Sequence, residues 1–249
     1  MSFKDKVVIV TGASSGIGAA IALLFSKEGA NVTIVGRNQK KLDDVAKKCS
    51  KSPLVINADV SKDSEARRIV EETVNKFGKL DILVNNAGMT KYGSITDGNI
   101  VAAYDETLNV NLRAVINITT IATPYLKQTK GNIVNISSVV ALATPSIPTM
   151  LPYYISKAGL DHFTRGAALE LSASGVRVNS VNPGPVYTDF FENTGSDMTF
   201  DDFKVHTPLK RISEPSEIAD LVAFLASDKA KGITGSAYVA DNGILLKNF

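Results

Sequence analysis

The sequence is poor in the two residue types that most often build metal and redox sites. It contains one cysteine, Cys49, and two histidines, His162 and His206, among 249 residues. A single cysteine excludes an intramolecular disulfide bond and a cysteine-based metal centre. We interpret Cys49 as a small, at least partly buried apolar residue and the histidines as ordinary surface or core residues. We predict no metal site.

Long apolar runs are also missing. The first apolar stretch, residues 7–10, is four residues long, whereas a signal peptide needs about 7–15 apolar residues and a membrane span about 18. We therefore expect a cytoplasmic protein without a membrane span.

The chain has no excess of one charge. Its 27 lysine and arginine residues are set against 25 aspartate and glutamate residues, which leaves a net charge of +2. Such a balance creates no overall field to attract nucleic acid or an anionic membrane. The 44% of hydrophobic and 21% of charged residues are typical of globular proteins. We expect a globular protein that does not bind nucleic acid.

The chain does contain a regular alternation of short apolar runs and longer segments of helical period. Residues 7–10 are apolar at every position, as in a strand that is buried on both faces of a sheet. In residues 63–77 the apolar positions recur every three or four residues, as in an amphipathic helix. The other predicted strands are 31–35, 54–56, 82–84, 133–136, 176–181 and 237–240, and the other predicted helices are 16–25, 40–46, 99–126, 154–171 and 213–226. This order predicts an α/β protein with a seven-stranded, doubly wound parallel sheet and helices on both faces.

Two segments interrupt this alternation. Residues 141–152 contain three prolines, and residues 183–211 are longer than an ordinary connection. Long loops in compact domains often carry function, so we predict a covering loop and lid at about 185–213. No linker or repeat divides the chain, and we predict one domain over residues 1–249.

A glycine-rich turn follows the first predicted strand and opens the first predicted helix. Glycines allow a tight turn and a close approach of the backbone to a ligand, and the free N–H groups of a helix N-terminus suit a pyrophosphate. The turn therefore predicts a dinucleotide site. Its members are Gly12, Ser14, Ser15, Gly16, Ile17 and Gly18. Residues 12–16 also fit Gly-x-Ser-x-Gly, the nucleophile turn of a hydrolase, which would require a later aspartate and histidine.

Four further motifs follow in order along the chain. Residues 85–88 read Asn-Asn-Ala-Gly after the fourth strand, Ser138 follows the fifth, Tyr153 and Lys157 form Tyr-x-x-x-Lys, and residues 182–184 read Asn-Pro-Gly after the sixth. Together with residues 11–18, they resemble the short-chain dehydrogenase/reductase family over nearly the whole chain. The resemblance implies a Rossmann fold, a nicotinamide cofactor and hydride transfer between that cofactor and an alcohol or carbonyl group.

The residue types suit this chemistry. Tyr153 and Lys157 lie one helical turn apart and share a helix face. A neighbouring ammonium favours the phenolate and lowers the pKa of a tyrosine, so we expect Tyr153 to exchange a proton with the substrate oxygen, with Ser138 bound to the same oxygen. The resemblance adds Asn111 as part of a proton relay, and assigns Lys157 to the nicotinamide ribose.

The spacing alone leaves neighbouring candidates open. Tyr154 adjoins Tyr153, Ser137 adjoins Ser138, and Asn109 lies two residues before Asn111. The family pattern favours Tyr153, Ser138 and Asn111.

The residues at the end of the second predicted strand indicate which dinucleotide the protein binds. An acidic residue at its end usually binds the adenosine ribose of NAD, but here Gly36 and Arg37 end the strand, with Lys40 and Lys41 close behind. Arg37 can bind a 2′-phosphate through charge-assisted hydrogen bonds, so we predict NADP(H) rather than NAD(H). The alternative is a solvated basic start of a helix. The residues assigned to cofactor binding are Gly12, Ser14, Ser15, Gly16, Ile17, Gly18, Arg37, Asn38, Asp59, Val60, Asn86, Ala87, Gly88, Tyr153, Lys157, Pro183, Gly184, Val186 and Thr188.

Apolar residues in the two interrupting segments predict the substrate. Residues 190–203 hold four of the ten phenylalanines, and residues 141–152 add Leu142, Ile147 and Leu151. We predict a lipophilic alcohol or carbonyl compound, such as an isoprenoid alcohol, a steroid-like molecule or a 3-oxoacyl chain. The predicted substrate residues are Ser138, Tyr153, Phe190, Phe191 and Met150. The alternative is that the aromatic residues only anchor the lid.

The chain departs from the family pattern in two places. The segment from Ser138 to Tyr153 is two residues longer than usual, and residues 240–243 read Ala-Asp-Asn-Gly where Val-Asp-Gly-Gly is common. The first departure should reshape one wall of the pocket. By the same resemblance we expect a homotetramer, and the alternative function is a catalytically silent nucleotide-binding sensor on the same scaffold.

Overall fold

The computed structural model describes residues 2–190 and 199–247, and its centre is one parallel sheet. The strands are β1 (Val7–Thr11), β2 (Asn31–Gly36), β3 (Leu54–Asn57), β4 (Ile82–Asn85), β5 (Asn132–Ile136), β6 (Arg177–Pro183) and β7 (Ala237–Ala240). They pair in the order β3-β2-β1-β4-β5-β6-β7, and every neighbouring pair is parallel. The order reverses between β1 and β4, where ligands bind in sheets of this kind.

Helices connect the strands. They are α1 (Gly16–Lys27), α2 (Gln39–Lys48), α3 (Asp63–Phe77), α4 (Ile100–Leu108), α5 (Ala114–Thr129), α6 (Leu151–Ser172) and α7 (Pro215–Ala226). Local signals mark several ends: the Asn38 side chain caps α2, Gly78 ends α3 in a left-handed conformation, and Pro215 opens α7. None of the helices in the described part of the chain combines the length and apolarity needed to cross a membrane.

The sheet is covered on both faces, which explains why β1 is apolar at every position. Val8 and Val10 belong to one core with α1, α2 and α7, whereas Val7 and Ile9 belong to the other core with α3, α5 and part of α6. Alternate residues of a strand point to opposite faces, so each face needs its own apolar set. The predicted doubly wound α/β fold is confirmed.

The predicted helix over 99–126 is wrong in one respect, because a π-helical turn over Asn109–Arg113 separates α4 from α5. The apolar spacing continues through this turn, so the sequence pattern shows no break. Single π turns inside helices are frequent at functional sites. This one holds Asn111, which is 1% exposed.

The turns after β1 and β4 are joined by hydrogen bonds at the carboxyl edge of the sheet. The Asn86 side chain donates to the carbonyl oxygens of Thr11 and Gly12, at 2.9 and 3.1 Å. The Thr11 hydroxyl accepts from the backbone N–H groups of Asn86 and Ala87, at 3.0 and 3.1 Å. These bonds fix the glycine-rich turn relative to its neighbouring strand.

Gly18 allows α1 to approach this turn. A Cβ atom at Gly18 would lie 2.3 Å from the carbonyl oxygen of Gly12 and 2.4 Å from Nδ2 of Asn86. The substitution Gly18→Ala must therefore displace the turn, at an expected cost of about 1–3 kcal/mol in the free energy of unfolding. Urea denaturation measures it.

The control is Gly166→Ala on α6, where a Cβ atom meets nothing within 4 Å. Helix propensity should make that variant up to about 1 kcal/mol more stable. Equal stabilities of the two variants would contradict the packing argument.

Candidate active site

A cavity of about 380 Å³ lies at the carboxyl edge of the sheet, between the glycine-rich turn and the loops after β4, β5 and β6. It brings together most of the side chains predicted from the sequence. Those that line it are Gly12, Ser14, Ser15, Gly16, Ile17, Arg37, Asp59, Val60, Asn86, Ala87, Gly88, Ser138, Met150, Tyr153, Lys157, Pro183, Gly184, Val186, Thr188 and Phe190.

Three predicted residues are not among the lining residues, and each has a structural role. Gly18 packs under the turn, and the Asn38 side chain accepts a hydrogen bond from the N–H of Lys41. Asn111 accepts from the N–H of Met89 at 2.9 Å and donates to the carbonyl oxygen of Met89 at 2.8 Å. Phe191 lies outside the described residues.

Three of the side chains predicted to act in catalysis, Ser138, Tyr153 and Lys157, line the cavity together. Lys157 is 4% exposed, and its Nζ donates to the carbonyl oxygen of Ile136 at 2.8 Å. The same Nζ lies 5.7 Å from the centre of the Tyr153 ring. The Ser138 hydroxyl accepts from the N–H of Val140 at 3.3 Å, and it lies near enough to the Tyr153 phenol to lower its pKa.

The neighbouring candidates Ser137 and Tyr154 have hydrogen-bond partners of their own. The Ser137 hydroxyl donates to the carbonyl oxygen of Lys157 at 3.3 Å, so it supports the helix rather than facing Tyr153. The Tyr154 hydroxyl accepts from the N–H of Ser146 at 3.3 Å and therefore holds the proline-containing segment. Ser137 and Tyr154 also line the cavity, and the choice of Ser138 and Tyr153 still rests on the family pattern.

The pKa of Tyr153 moves in the direction opposite to our expectation. Burial raises the pKa of its phenol to about 12, although the hydrogen bond from Ser138 lowers it in part. Burial also lowers the pKa of Lys157 to about 8, while the carboxylate of Asp161 raises it. The spacing of the two residues showed their proximity but not their burial, and burial disfavours the charged form of each group.

The end of the cavity near β2 carries the charges expected of an adenosine site. Arg37 is exposed, and its charge acts on Asp59. Burial raises the pKa of Asp59, but hydrogen bonds from Ser61 at 2.7 and 3.0 Å and the charge of Arg37 outweigh it, so the pKa lies below its usual value. A Cβ atom at Gly36 would lie 3.3 Å from the Ser14 side chain, which leaves little room at this point.

The opposite end of the cavity is apolar and includes the segment between Ser138 and Tyr153, which is two residues longer than the family pattern. That segment is held by the bond of Ser146 to Tyr154 and by a 2.8 Å bond from the N–H of Gly93 to the carbonyl oxygen of Thr149. The apolar lining residues here are Met89, Val139, Val140, Ala143, Ile147, Met150, Phe190, Phe200 and Phe203. Our expectation fails for two members of the segment: Leu142 is 53% exposed, and neither it nor Leu151 is a lining residue.

Sequence reasoning missed lining residues near the carboxyl terminus, Ile244 and Leu245. They reach the cavity because the turn after β7 packs on Gly184, where a Cβ atom would lie 2.8 Å from Cα of Asp241. Asn242 has φ +53°, a left-handed conformation that asparagine tolerates better than most residues. The Asn-for-Gly departure at Asn242 was the available signal that this turn is constrained.

The hydrolase alternative does not fit the cavity. A nucleophilic Ser14 would need a histidine within hydrogen-bond reach. His162 and His206 are both exposed, and neither is among the cavity-lining residues.

Known proteins match this chain over nearly its whole length. A family model described as enoyl-(acyl carrier protein) reductase matches residues 12–245. A 3-oxoacyl-(acyl-carrier-protein) reductase of Thermotoga maritima is 36% identical over 256 residues, which cover 99% of this chain and 100% of the relative.

Two solved structures are also similar. A glucose dehydrogenase of Caenorhabditis elegans is 40% identical with a TM-score of 0.84, covering 99% of this chain and 100% of that chain. A short-chain dehydrogenase from Burkholderia cenocepacia, in complex with NADP, is 33% identical with a TM-score of 0.90, covering 98% and 100%.

The fold, the cavity and these matches define a Rossmann-fold oxidoreductase. The chain belongs to the short-chain dehydrogenase/reductase family, which confirms the resemblance seen in the sequence.

Asn111 offers a test of the framework around the cavity. Its amide makes two hydrogen bonds to the backbone of Met89 and donates to the Ser156 hydroxyl at 3.0 Å. Asn111→Ala leaves buried partners unpaired, so the free energy of unfolding should fall by about 1–3 kcal/mol. Urea denaturation checks this value.

Asn117→Ala is the control, because the Asn117 amide makes one hydrogen bond to Asp63 at the surface. That variant should lie within about 0.5 kcal/mol of the wild type. A similar loss in both variants would show that the contacts of Asn111 have no special role.

Proposed function

We propose that the protein is an NADP(H)-dependent reductase that converts a lipophilic ketone, such as a 3-oxoacyl group, into the alcohol. The observation that carries this proposal is the position of Ser138, Tyr153 and Lys157 on one cavity that extends to the glycine-rich turn and Arg37. The Thermotoga maritima relative is a 3-oxoacyl reductase by name, which supports the substrate class.

The residues present fit a dinucleotide. Gly12 and Gly16 have φ +65° and +52°, and a Cβ atom at either would fill the cradle before α1: it would lie 2.8 Å from Ala87 at Gly12 and 2.8 Å from Thr188 at Gly16. The start of α1 would hold the pyrophosphate, Arg37 a 2′-phosphate, and Asp59 the adenine edge. When bound, the nicotinamide supplies or accepts the hydride.

The side chains of the chain itself handle the proton. With a pKa of about 12, Tyr153 keeps its proton at neutral pH, and in this form it can protonate the oxygen of a carbonyl group as hydride reaches the carbon. Ser138 can donate a hydrogen bond to the same oxygen and stabilise its developing charge. The protonated phenol is the form that reduction uses, whereas oxidation uses the phenolate.

The substitution Tyr153→Phe tests this mechanism. It removes the transferable proton and one contact to the reacting oxygen, so kcat should fall by about 10³-fold or more, while the Kd of NADPH changes little. The assays are steady-state reduction of a ketone panel and NADPH fluorescence titration.

Tyr104→Phe is the control, since Tyr104 lies exposed on α4, and it should keep wild-type kcat. If Tyr153→Phe also kept wild-type kcat, the mechanism would be wrong. NADPH binding without turnover in the wild type would favour the silent sensor.

The cofactor preference depends on the end of β2. In the double variant Gly36→Asp, Arg37→Ala the new carboxylate can accept from the ribose hydroxyls of NADH and repels a 2′-phosphate, and the cation is lost. The ratio of kcat/KM for NADPH to that for NADH should fall by about 10²-fold or more, a change of roughly 3 kcal/mol.

Lys40→Ala is the matched control, because it removes a nearby exposed cation without altering the end of β2. It should change the ratio less than about threefold. An unchanged ratio in the double variant would show that the cofactor assignment is wrong.

The apolar end of the cavity predicts how activity varies with substrate length. Each methylene that becomes fully buried contributes up to about 0.8 kcal/mol, so kcat/KM should rise by up to about fourfold per methylene along a series of 3-oxoacyl thioesters until the cavity is filled. Phe203→Ala should flatten this series, whereas Leu209→Ala, at a residue 67% exposed, should not.

The similarity to a glucose dehydrogenase suggests the competing hypothesis, that the substrate is a sugar. Hydroxyl groups of a sugar would lose hydrogen bonds against the apolar wall, at about 1–3 kcal/mol each. A flat series, or a higher kcat/KM for glucose, would overturn the substrate class.

We also propose that copies of the chain associate, as expected from the family. Apolar side chains on α4 and α5 support this: Val101 and Ile116 are 66% and 40% exposed. A shared helical interface would bury them.

A further inference from the structure

Asp161 is a buried carboxylate that the mechanism above does not use. It is 3% exposed and lies on α6, one helical turn after Lys157. A buried charge is costly unless it is paired and hydrogen-bonded. Its surroundings therefore need to supply such partners.

Asp161 reaches Ser138 through a single amide group. Its Oδ2 accepts from Nδ2 of Asn182 at 2.7 Å, and its Oδ1 accepts from the Ser180 hydroxyl at 3.1 Å. The same Nδ2 of Asn182 donates to the carbonyl oxygen of Ser138 at 3.0 Å. Asp161 thus orients the amide that holds the backbone of Ser138.

Asp161 also acts on Lys157 by its charge. Its carboxylate opposes the effect of burial on the Lys157 ammonium. The elements packed against Lys157 contribute uncharged groups: the Ile136 carbonyl and Ser137 hydroxyl of the β5 end, and Gly88 of the loop after β4. On α6 itself the other titratable neighbour is Tyr153, whose ring faces Nζ.

We propose that Asp161 is a positioning residue that keeps Lys157 in its charged form and, through Asn182, fixes the backbone of Ser138. It touches neither substrate nor cofactor. It acts on the reaction through Lys157 and Ser138, which are the residues expected to contact cofactor and substrate.

The substitution Asp161→Asn tests the charge while keeping the shape. The pKa of Lys157 is about 8 with Asp161 present, and loss of the carboxylate should lower it further, by about one unit. The alkaline fall of kcat/KM for reduction, and the alkaline weakening of NADPH binding, should both move about one pH unit toward acid.

The kinetic and binding measurements rest on the proposed function. We therefore add a stability measurement that does not depend on it. The folded pKa of Lys157 lies below the unfolded value of about 10.4, so the unfolded chain binds more protons between pH 8 and 10.4. Stability should rise with pH across that window and be lost as the pH falls toward 8. In Asp161→Asn the rise should begin about one pH unit lower, and adding Lys157→Met should abolish it. Urea denaturation from pH 6 to 10 measures this.

Ser180→Ala is the control, because it removes the contacts of the Ser180 hydroxyl with Asp161 and Asn182 but keeps the charge of Asp161. It should lower stability at every pH without moving the window. If Asp161→Asn does not fold, Asp161→Ser, which leaves room for a water molecule, replaces it.

The results separate the possible failures. An unmoved stability window in the charge-removing variant would overturn the role of Asp161, whatever the activity. A moved window in a protein that reduces no ketone would leave the role of Asp161 supported and contradict the proposed function instead.

Discussion

A buried ammonium group needs a hydrogen-bond acceptor, and Lys157 finds one in the carbonyl oxygen of Ile136 at the end of β5. This bond joins α6 to the sheet beside the cavity that Ser138 and Tyr153 line. Because Tyr153 lies one turn earlier on the same helix, its ring is placed over the cavity. Ser138 lies two residues after Ile136 and lines the same cavity as Tyr153.

The neighbouring loops are arranged by the same edge of the sheet. The bonds of Asn86 to the turn after β1 bring the dinucleotide cradle next to the loop after β4. Asn111, in the π turn, holds that loop from the other side through the backbone of Met89. One continuous cavity results because the parallel strands all end at one edge.

The wall of the cavity opposite the glycine-rich turn is formed by less regular parts of the chain. The longer segment before Tyr153 is held by the Tyr154 hydroxyl and by the backbone of Gly93, and it forms one wall of the cavity. The carboxyl-terminal turn adds Ile244 and Leu245 to the lining. These segments are separate in sequence from Ser138, Tyr153 and Lys157, so this wall can change without altering those three residues.

The sequence by itself determined the fold class, because the apolar strand runs and the helical periods are local patterns that any parallel α/β sheet must contain. It also determined which motifs stand at the strand ends, and most of the residues it named line one cavity. Tertiary structure alone decided the break at Asn109–Arg113, the positions of Ile244 and Leu245 and the exposure of Leu142, since each depends on contacts distant in sequence. It also decided the direction in which the pKa values of Tyr153 and Lys157 shift: their spacing shows that they are neighbours, but only the packing around them sets the cost of removing each charge from water.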